Sequence, residues 1–139
     1  DDFKAYARQV LLNSKALAAA LMEREATLVT GGTDNHMMVI DTVKSYGLDG
    51  RVAEETLDKV NITTNKQIIP DDPNPPLRPS GIRIGTPAAT SRGMKEDAMR
   101  QMAEWLDKSL RAPNDDSVLT EIRNEVMSFC DEFPVPGVD

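Results

Sequence analysis

The chain has 139 residues, of which 40% are hydrophobic, 28% charged and only 4% aromatic, and its formal net charge is −7 at neutral pH. This size predicts one domain with a core of aliphatic and methionine side chains, and the acidic balance argues against a nucleic-acid partner. A membrane span and a signal peptide are absent from the pattern, and the single cysteine excludes an internal disulfide and a thiolate metal site, so we expect a cytoplasmic protein.

The first predicted element is a long amphipathic helix from Asp2 to about Arg24. Asp1 and Asp2 lie where acids favour the N-terminus of a helix. The helix begins essentially at the first residue and there is no initiator methionine, so we expect a fragment cut at a domain boundary. Helical spacing is carried by Phe3, Ala7, Val10, Leu11, Leu17, Ala18, Leu21 and Met22.

Short strands and a second helix are predicted next. The apolar runs 26–32 and 36–41 are separated by the turn formers "GGTDN", so they indicate two strands joined by a turn. Helical spacing returns in "RVAEETLDKV" (51–60). The β-branched residues 62–64 then favour another strand.

A proline-rich loop and two helices complete the predicted order. Residues 70–79, "PDDPNPPLRP", contain five prolines, which exclude a helix interior or a central strand. A strand follows at 80–85, and apolar spacing predicts helices at 94–111 and 118–129, the last one capped by "APNDD". Together these elements predict an α+β domain of two layers.

Arg83 is the residue whose position most suggests chemistry. It lies in the predicted strand between Ile82 and Ile84, so its side chain points to the opposite face, and Gly81 and Gly85 leave room for an approaching group. A partly buried guanidinium requires a partner. That partner is either an internal carboxylate or an anionic ligand, and the sequence leaves both open.

The segment around Arg83 is basic within an acidic chain. From Pro73 to Lys95 there is no acid, while Arg78, Arg83, Arg92 and Lys95 contribute four positive charges. This asymmetry predicts either an anion site or an unevenly charged, solvated surface.

Other polar motifs favour structural roles. His36 is the only histidine and opens an apolar strand, which is typical of a group at a turn rather than a catalytic base. "GGTDN" lacks the spacing of a phosphate-binding loop. Adjacent carboxylates in loops and helix starts favour capping and solvation; these pairs are Glu54 and Glu55, Asp71 and Asp72, and Asp115 and Asp116.

Three long stretches in fixed order, "LVTGGTDNH", "NITTNKQIIPDDPNPP" and "SGIRIGTPAATSRG", resemble the C-terminal part of serine hydroxymethyltransferases. Members of that family use pyridoxal phosphate to interconvert serine and glycine, and they pass the one-carbon unit to tetrahydrofolate. The resemblance implies the aspartate aminotransferase type of fold (fold type I). It covers nearly the whole chain.

By this resemblance, residues 1–139 are the small C-terminal domain, and residues 1–25 are the helix that connects it to a large domain. The family's Schiff-base lysine, in a Thr-rich stretch ending in His-Lys, has no counterpart here. The resemblance therefore implies that the isolated chain is inactive. It also implies that the intact enzyme is a homodimer or a tetramer that binds serine, glycine and folate.

The resemblance also assigns residues to the site. Arg83 matches the arginine that binds the carboxylate of the amino-acid substrate, and Pro75, Pro76 and Leu77 match the segment that contacts folate. Gln67 departs from the family pattern, because asparagine is common at its position. A different class of function, a non-catalytic binding module of the same ancestry, remains as an alternative.

Overall fold

Six helices and three strands form the described part of the chain, which comprises residues 2–29 and 36–134 of a computed structural model. The helices are α1 (Asp2–Glu23), α2 (Thr42–Tyr46), α3 (Gly50–Lys59), α4 (Pro87–Ser91), α5 (Glu96–Arg111) and α6 (Asp116–Cys130). The strands are β1 (Met37–Asp41), β2 (Asn65–Gln67) and β3 (Gly81–Gly85). This composition confirms the predicted α+β class.

The three strands form an antiparallel sheet in the order β1-β3-β2, so β3 is the central strand. Its residues Ile82 and Ile84 are buried, and Met38 and Ile40 of β1 extend the same apolar face. Helices pack against this face, and Arg83 lies exposed on the other one. Alternation of side chains along β3 therefore separates the core from the candidate site.

Helix α1 buries one face and ends in a turn that satisfies its last carbonyl groups. Leu17 and Leu21 are fully buried, and α1 packs chiefly against α5. At its end Glu25 adopts a left-handed conformation (φ 71°), and the N–H groups of Glu25 and Ala26 donate to Met22 and Leu21. No helix in the described ranges, α1 included, is long and apolar enough to cross a membrane.

Two predicted strands differ from the structure. Within the expected strand 26–32, the described residues contain only an isolated bridge from Leu28 to Ile40, and residues 30–32 lie outside the described ranges, as does the turn 31–35. A strand does form in the predicted segment 61–70, but it covers Asn65–Gln67 and not the β-branched residues 62–64 that favoured it. Asn61, with φ 68°, reverses the chain after α3, and the side chain of Ile62 is buried in the core. Pairing with β3 therefore begins only at Asn65.

The two short helices α2 and α4 were not predicted from the sequence. Asp41 caps α2 by accepting from the N–H of Lys44, and Gly47 ends the helix in a left-handed conformation (φ 70°). Pro87 begins α4, where its fixed φ suits the first helical turn. Five residues are too few for an apolar period to emerge.

A buried carboxylate ties the end of α1 to α2 and α5. Asp107 accepts from the Tyr46 hydroxyl at 2.9 Å and from Nε of Arg111 at 3.0 Å, and the Arg111 guanidinium also donates to the carbonyl of Arg24. Burial and the hydrogen bond to Asp107 raise the pKa of Tyr46, so its hydroxyl remains a donor. This network attaches the end of α1 to α2 and α5.

Replacing Asp107 by alanine is expected to lower the free energy of unfolding by about 2 kcal/mol, because the Tyr46 hydroxyl and the Arg111 guanidinium lose their acceptor. Urea denaturation of the chain measures the change. Asp97→Ala on the same helix removes an exposed carboxylate and serves as the control, with an expected change below about 0.5 kcal/mol. Equal effects of the two substitutions would contradict the structural role of Asp107.

Candidate functional site

Arg83 occupies the centre of the sheet on its outer face. Its neighbours across β3 are Val39 of β1 and Asn65 of β2, and directly paired residues point to the same side of a sheet. Ile82 and Ile84, which flank it in sequence, are buried on the opposite side, as the sequence predicts.

The expectation that Arg83 is partly buried is wrong, because its side chain is exposed in this chain. Among residues 2–29 and 36–134 no carboxylate forms an ion pair with it and no hydrogen bond holds it. The described residues therefore give no support to an internal salt bridge. The central strand fixes the backbone of Arg83, and its guanidinium is accessible to an anion.

Gly81, which flanks Ile82 on the N-terminal side, serves a purpose other than the predicted one. A Cβ atom on Gly81 would lie 2.9 Å from a methyl carbon of Ile69 and 3.0 Å from the carbonyl oxygen of Ile40. The space beside Gly81 is thus filled by the domain itself. Glycine there permits close packing inside the protein and does not open room for a ligand.

The basic segment does not act as one patch. Arg78 forms an ion pair with Asp49 at 3.1 Å, and Arg92 donates to the backbone carbonyls of Phe133 and Cys130 at 2.6 and 2.9 Å. Two of its four cations therefore already have partners within the domain. Arg83 is the segment's cation on the outer face of the sheet.

The Pro-rich loop is exposed, and hydrogen bonds join its two ends. Pro75, Pro76 and Leu77 are all exposed, and Leu77 retains 74% of its accessible surface. The carboxylate of Asp72 accepts these hydrogen bonds from backbone N–H groups of the loop. Desolvation disfavours ionisation of Asp72, but hydrogen bonds donated by Ser80, Asn74 and Ile69 outweigh it and lower its pKa to about 2.

A surface cleft of about 380 Å³ lies between the loop and strand β2. Pro76 and Ile68 supply apolar surface, and Ile68 is 54% exposed. Pro75 and Leu77 do not line this cleft. Its polar wall includes Gln67, whose side-chain amide donates to the carbonyl of Ile68 at 3.0 Å.

Asn65 connects the cleft to Arg83, since it lines the cleft and is also the register partner of Arg83. The structure thus brings the predicted arginine and one predicted loop residue, Pro76, to neighbouring positions. Asn65 and Ile68 were not predicted as site residues. The only signal for them was their place in the same short segment as Gln67.

The remaining polar candidates have structural contacts. The backbone carbonyl of His36 accepts from Thr86 at 3.2 Å, which fits the structural role expected at this turn. Asp115 caps α6 by accepting from the N–H of Val118, and Glu54 accepts from the N–H of Lys66. Asp115 is a cap, as predicted, whereas Glu54 attaches β2 to α3.

The comparison with protein families gives a direct assignment. A family model described as serine hydroxymethyltransferase matches residues 1–106. The chain belongs to the serine hydroxymethyltransferase family. The resemblance seen in the three sequence stretches is thereby confirmed.

Curated relatives agree with the family assignment. A serine hydroxymethyltransferase of Acidobacterium capsulatum is 50% identical over 136 residues, which is 98% of this chain and 32% of that protein. Proteins of the same name from Koribacter versatilis and Pseudoalteromonas atlantica are 48% and 43% identical, over 96% of this chain and 31% and 32% of their own lengths. The chain spans about a third of the length of these relatives.

The described residues do not fit pyridoxal phosphate on their own. A Schiff base with this cofactor requires a lysine. This chain has seven lysines, and all seven are exposed. A lysine that forms such a bond needs a desolvated site that lowers its pKa. Lys66 and Lys108 are instead engaged with Glu54 and Glu104.

Proposed function

We propose that this chain is the small C-terminal domain of a serine hydroxymethyltransferase of fold type I, with residues 1–25 as the helix leading from the large domain. The whole protein interconverts serine and glycine and transfers the one-carbon unit to tetrahydrofolate. Arg83 binds the carboxylate of the amino acid in this proposal. The family assignment and the geometry around Arg83 support it.

The observation that carries the proposal is the exposed side chain of Arg83, which pairs with no carboxylate among the described residues and whose register partner Asn65 lines the cleft between β2 and the loop. An arginine can grip a carboxylate with two parallel hydrogen bonds. The central strand fixes the Cα of Arg83, and the two parallel hydrogen bonds would orient a bound carboxylate relative to the guanidinium. Such positioning lowers the entropic part of a reaction barrier.

The reacting group lies outside this chain. Pyridoxal phosphate supplies the electron sink for chemistry at the Cα of the amino acid, and its lysine belongs to the large domain in this proposal. The isolated chain is accordingly inactive. Its contribution is to bind and orient the substrates.

Pro75, Pro76 and Leu77 form the folate contact in this proposal. A proline-rich segment loses little conformational freedom when a flat ring binds to it, so binding carries a small entropic cost. The exposed side chains of Leu77, Pro76 and Ile68 supply apolar surface to such a ring.

The proposal also includes partners and a cellular location. Leu11 and Met22, three turns apart on the same side of α1, are about 40% exposed, and Phe3 is 74% exposed. Apolar surface of this kind suits burial against a large domain or a second subunit in a cytoplasmic homodimer or tetramer. The same surface also fits the second candidate, a detached interaction module.

A chimeric enzyme tests the proposed function. In it, this chain replaces the matched third of the Acidobacterium capsulatum protein, and the unmodified relative is the control. We expect the chimera to convert serine to glycine in the presence of pyridoxal phosphate and tetrahydrofolate, and the isolated chain to be inactive. A folded chimera without this activity would contradict the proposal and favour the interaction module.

In the chimeric enzyme, Leu77→Ala is expected to raise the KM for tetrahydrofolate about five-fold, because the ring loses apolar contact. The KM for serine should stay the same. Steady-state kinetics with each substrate varied in turn measures both values. Met127→Ala removes an exposed apolar side chain from α6 and is the control; an equal change in both variants would argue against the loop as the folate contact.

A further inference from the structure

The Asp72 carboxylate joins the two ends of the Pro-rich loop. Its Oδ2 accepts from the N–H groups of Ile69 and Ser80 at 3.2 and 2.9 Å. Its Oδ1 accepts from the N–H of Asn74 at 2.9 Å and from the Ser80 hydroxyl at 2.7 Å. One side chain thus satisfies three backbone donors and a hydroxyl, at the start and at the end of the loop.

The end of the loop has other anchors besides Asp72. The carbonyl of Pro79 accepts from the N–H of Gly50 at 2.6 Å, and the carbonyl of Ser80 accepts from both the N–H and the hydroxyl of Thr42. These bonds attach residues 79 and 80 to α2 and α3. The start of β3, and with it the position of Arg83, is therefore secured independently of Asp72.

The segment Pro75–Leu77 has weaker support. Prolines have no N–H, and the described backbone bond within this stretch runs from the N–H of Arg78 to the carbonyl of Pro75. The ion pair of Arg78 with Asp49 is exposed, and exposed pairs contribute little. Asp72 bonds both to Asn74, next to this segment, and to Ser80 in the fixed part of the domain, so it is the main link between the two beside the exposed Arg78–Asp49 pair.

From this arrangement we propose that Asp72 is a positioning residue for tetrahydrofolate, an inference that rests on the proposed function. It holds Pro75–Leu77 in the conformation that meets the ring, while Arg83 binds the amino acid without its help. Asp72 does not touch the substrate. Asp72 preorganises the loop, so that folate binding loses less conformational entropy.

In the chimeric enzyme, Asp72→Ala is expected to raise the KM for tetrahydrofolate about ten-fold, which is on the order of the entropic cost of ordering a short loop. The Kd of glycine should stay within about two-fold of its original value, because Arg83 does not depend on Asp72. Asp72→Asn keeps one acceptor oxygen and should have an intermediate effect. Kinetics gives the KM, and calorimetric titration gives the Kd. A purely structural role would change both constants together.

Hydrogen exchange provides a readout that does not depend on activity. Exchange at the hydrogen-bonded amides of Asn74 and Arg78 should accelerate in both Asp72 variants, while β3 keeps its protection. Asp115→Ala removes a capping carboxylate from α6, away from the cleft, and should change neither exchange in the loop nor the KM for tetrahydrofolate.

The outcomes separate this inference from the proposed function. An unmodified chimera without folate-dependent activity overturns the proposed function, whatever the variants do. If the chimera is active but Asp72→Ala leaves the KM for tetrahydrofolate unchanged, or weakens glycine binding equally, the inference about Asp72 is wrong. If the alanine variant fails to fold, the asparagine variant and its loop exchange decide.

Discussion

In the chimeric enzyme, Arg83→Ala is expected to weaken glycine binding about 100-fold, because the carboxylate loses two charge-assisted hydrogen bonds. The domain itself should not be destabilised, since Arg83 is exposed and no described residue pairs with it. Calorimetric titration with glycine measures the Kd, and urea denaturation measures the stability. A large loss of affinity at unchanged stability would assign Arg83 to the substrate.

Two further variants separate geometry from charge. Arg83→Lys keeps the positive charge but cannot form the planar pair of hydrogen bonds, so most of the affinity should still be lost. Arg51→Ala removes an exposed arginine of α3, which pairs with Glu55, and is the control for net charge. If Arg51→Ala weakens glycine binding as much as Arg83→Ala, or if Arg83→Lys binds normally, a specific carboxylate site at Arg83 is excluded.

The long elements of the fold could be predicted because their apolar residues repeat over several turns. Helices α1, α3, α5 and α6 were found in this way, and the alternation around Arg83 gave the correct face of β3. Helices α2 and α4 have five residues each, and their caps depend on local bonds such as that of Asp41 with Lys44. The β-branched run 62–64 misled the strand prediction, because Ile62 and Thr64 are buried without pairing.

The site was only partly predictable for a related reason. The sequence shows what Arg83 can bind, but its exposure depends on which segments cover the sheet, and the covering segments are distant in the chain. Gly81 illustrates the same limit, because Ile69 and Ile40 fill the space beside it. Asn65 gains its place beside Arg83 only through the register of β2 with β3.

Gly50→Ala is expected to lower the free energy of unfolding by about 3 kcal/mol, the upper range for overpacking a tight contact. Gly50 begins α3, and a Cβ atom there would overlap the carbonyl oxygen of Gly81 and lie 3.0 Å from that of Pro79. Both obstacles are backbone atoms, so no side chain can rotate away. Urea denaturation of the chain measures the loss.

Gly47→Ala is the matched control, because Gly47 has φ 70° but nothing within 4 Å of its Cβ position. It should cost about 1 kcal/mol from backbone conformation alone. If Gly50→Ala is no more destabilising than Gly47→Ala, the close contact of α3 with residues 79–81 is wrong. Since those residues lead into β3, a displaced α3 should also move Arg83, and the Gly50 variant of the chimeric enzyme is expected to bind glycine more weakly while Gly47→Ala does not.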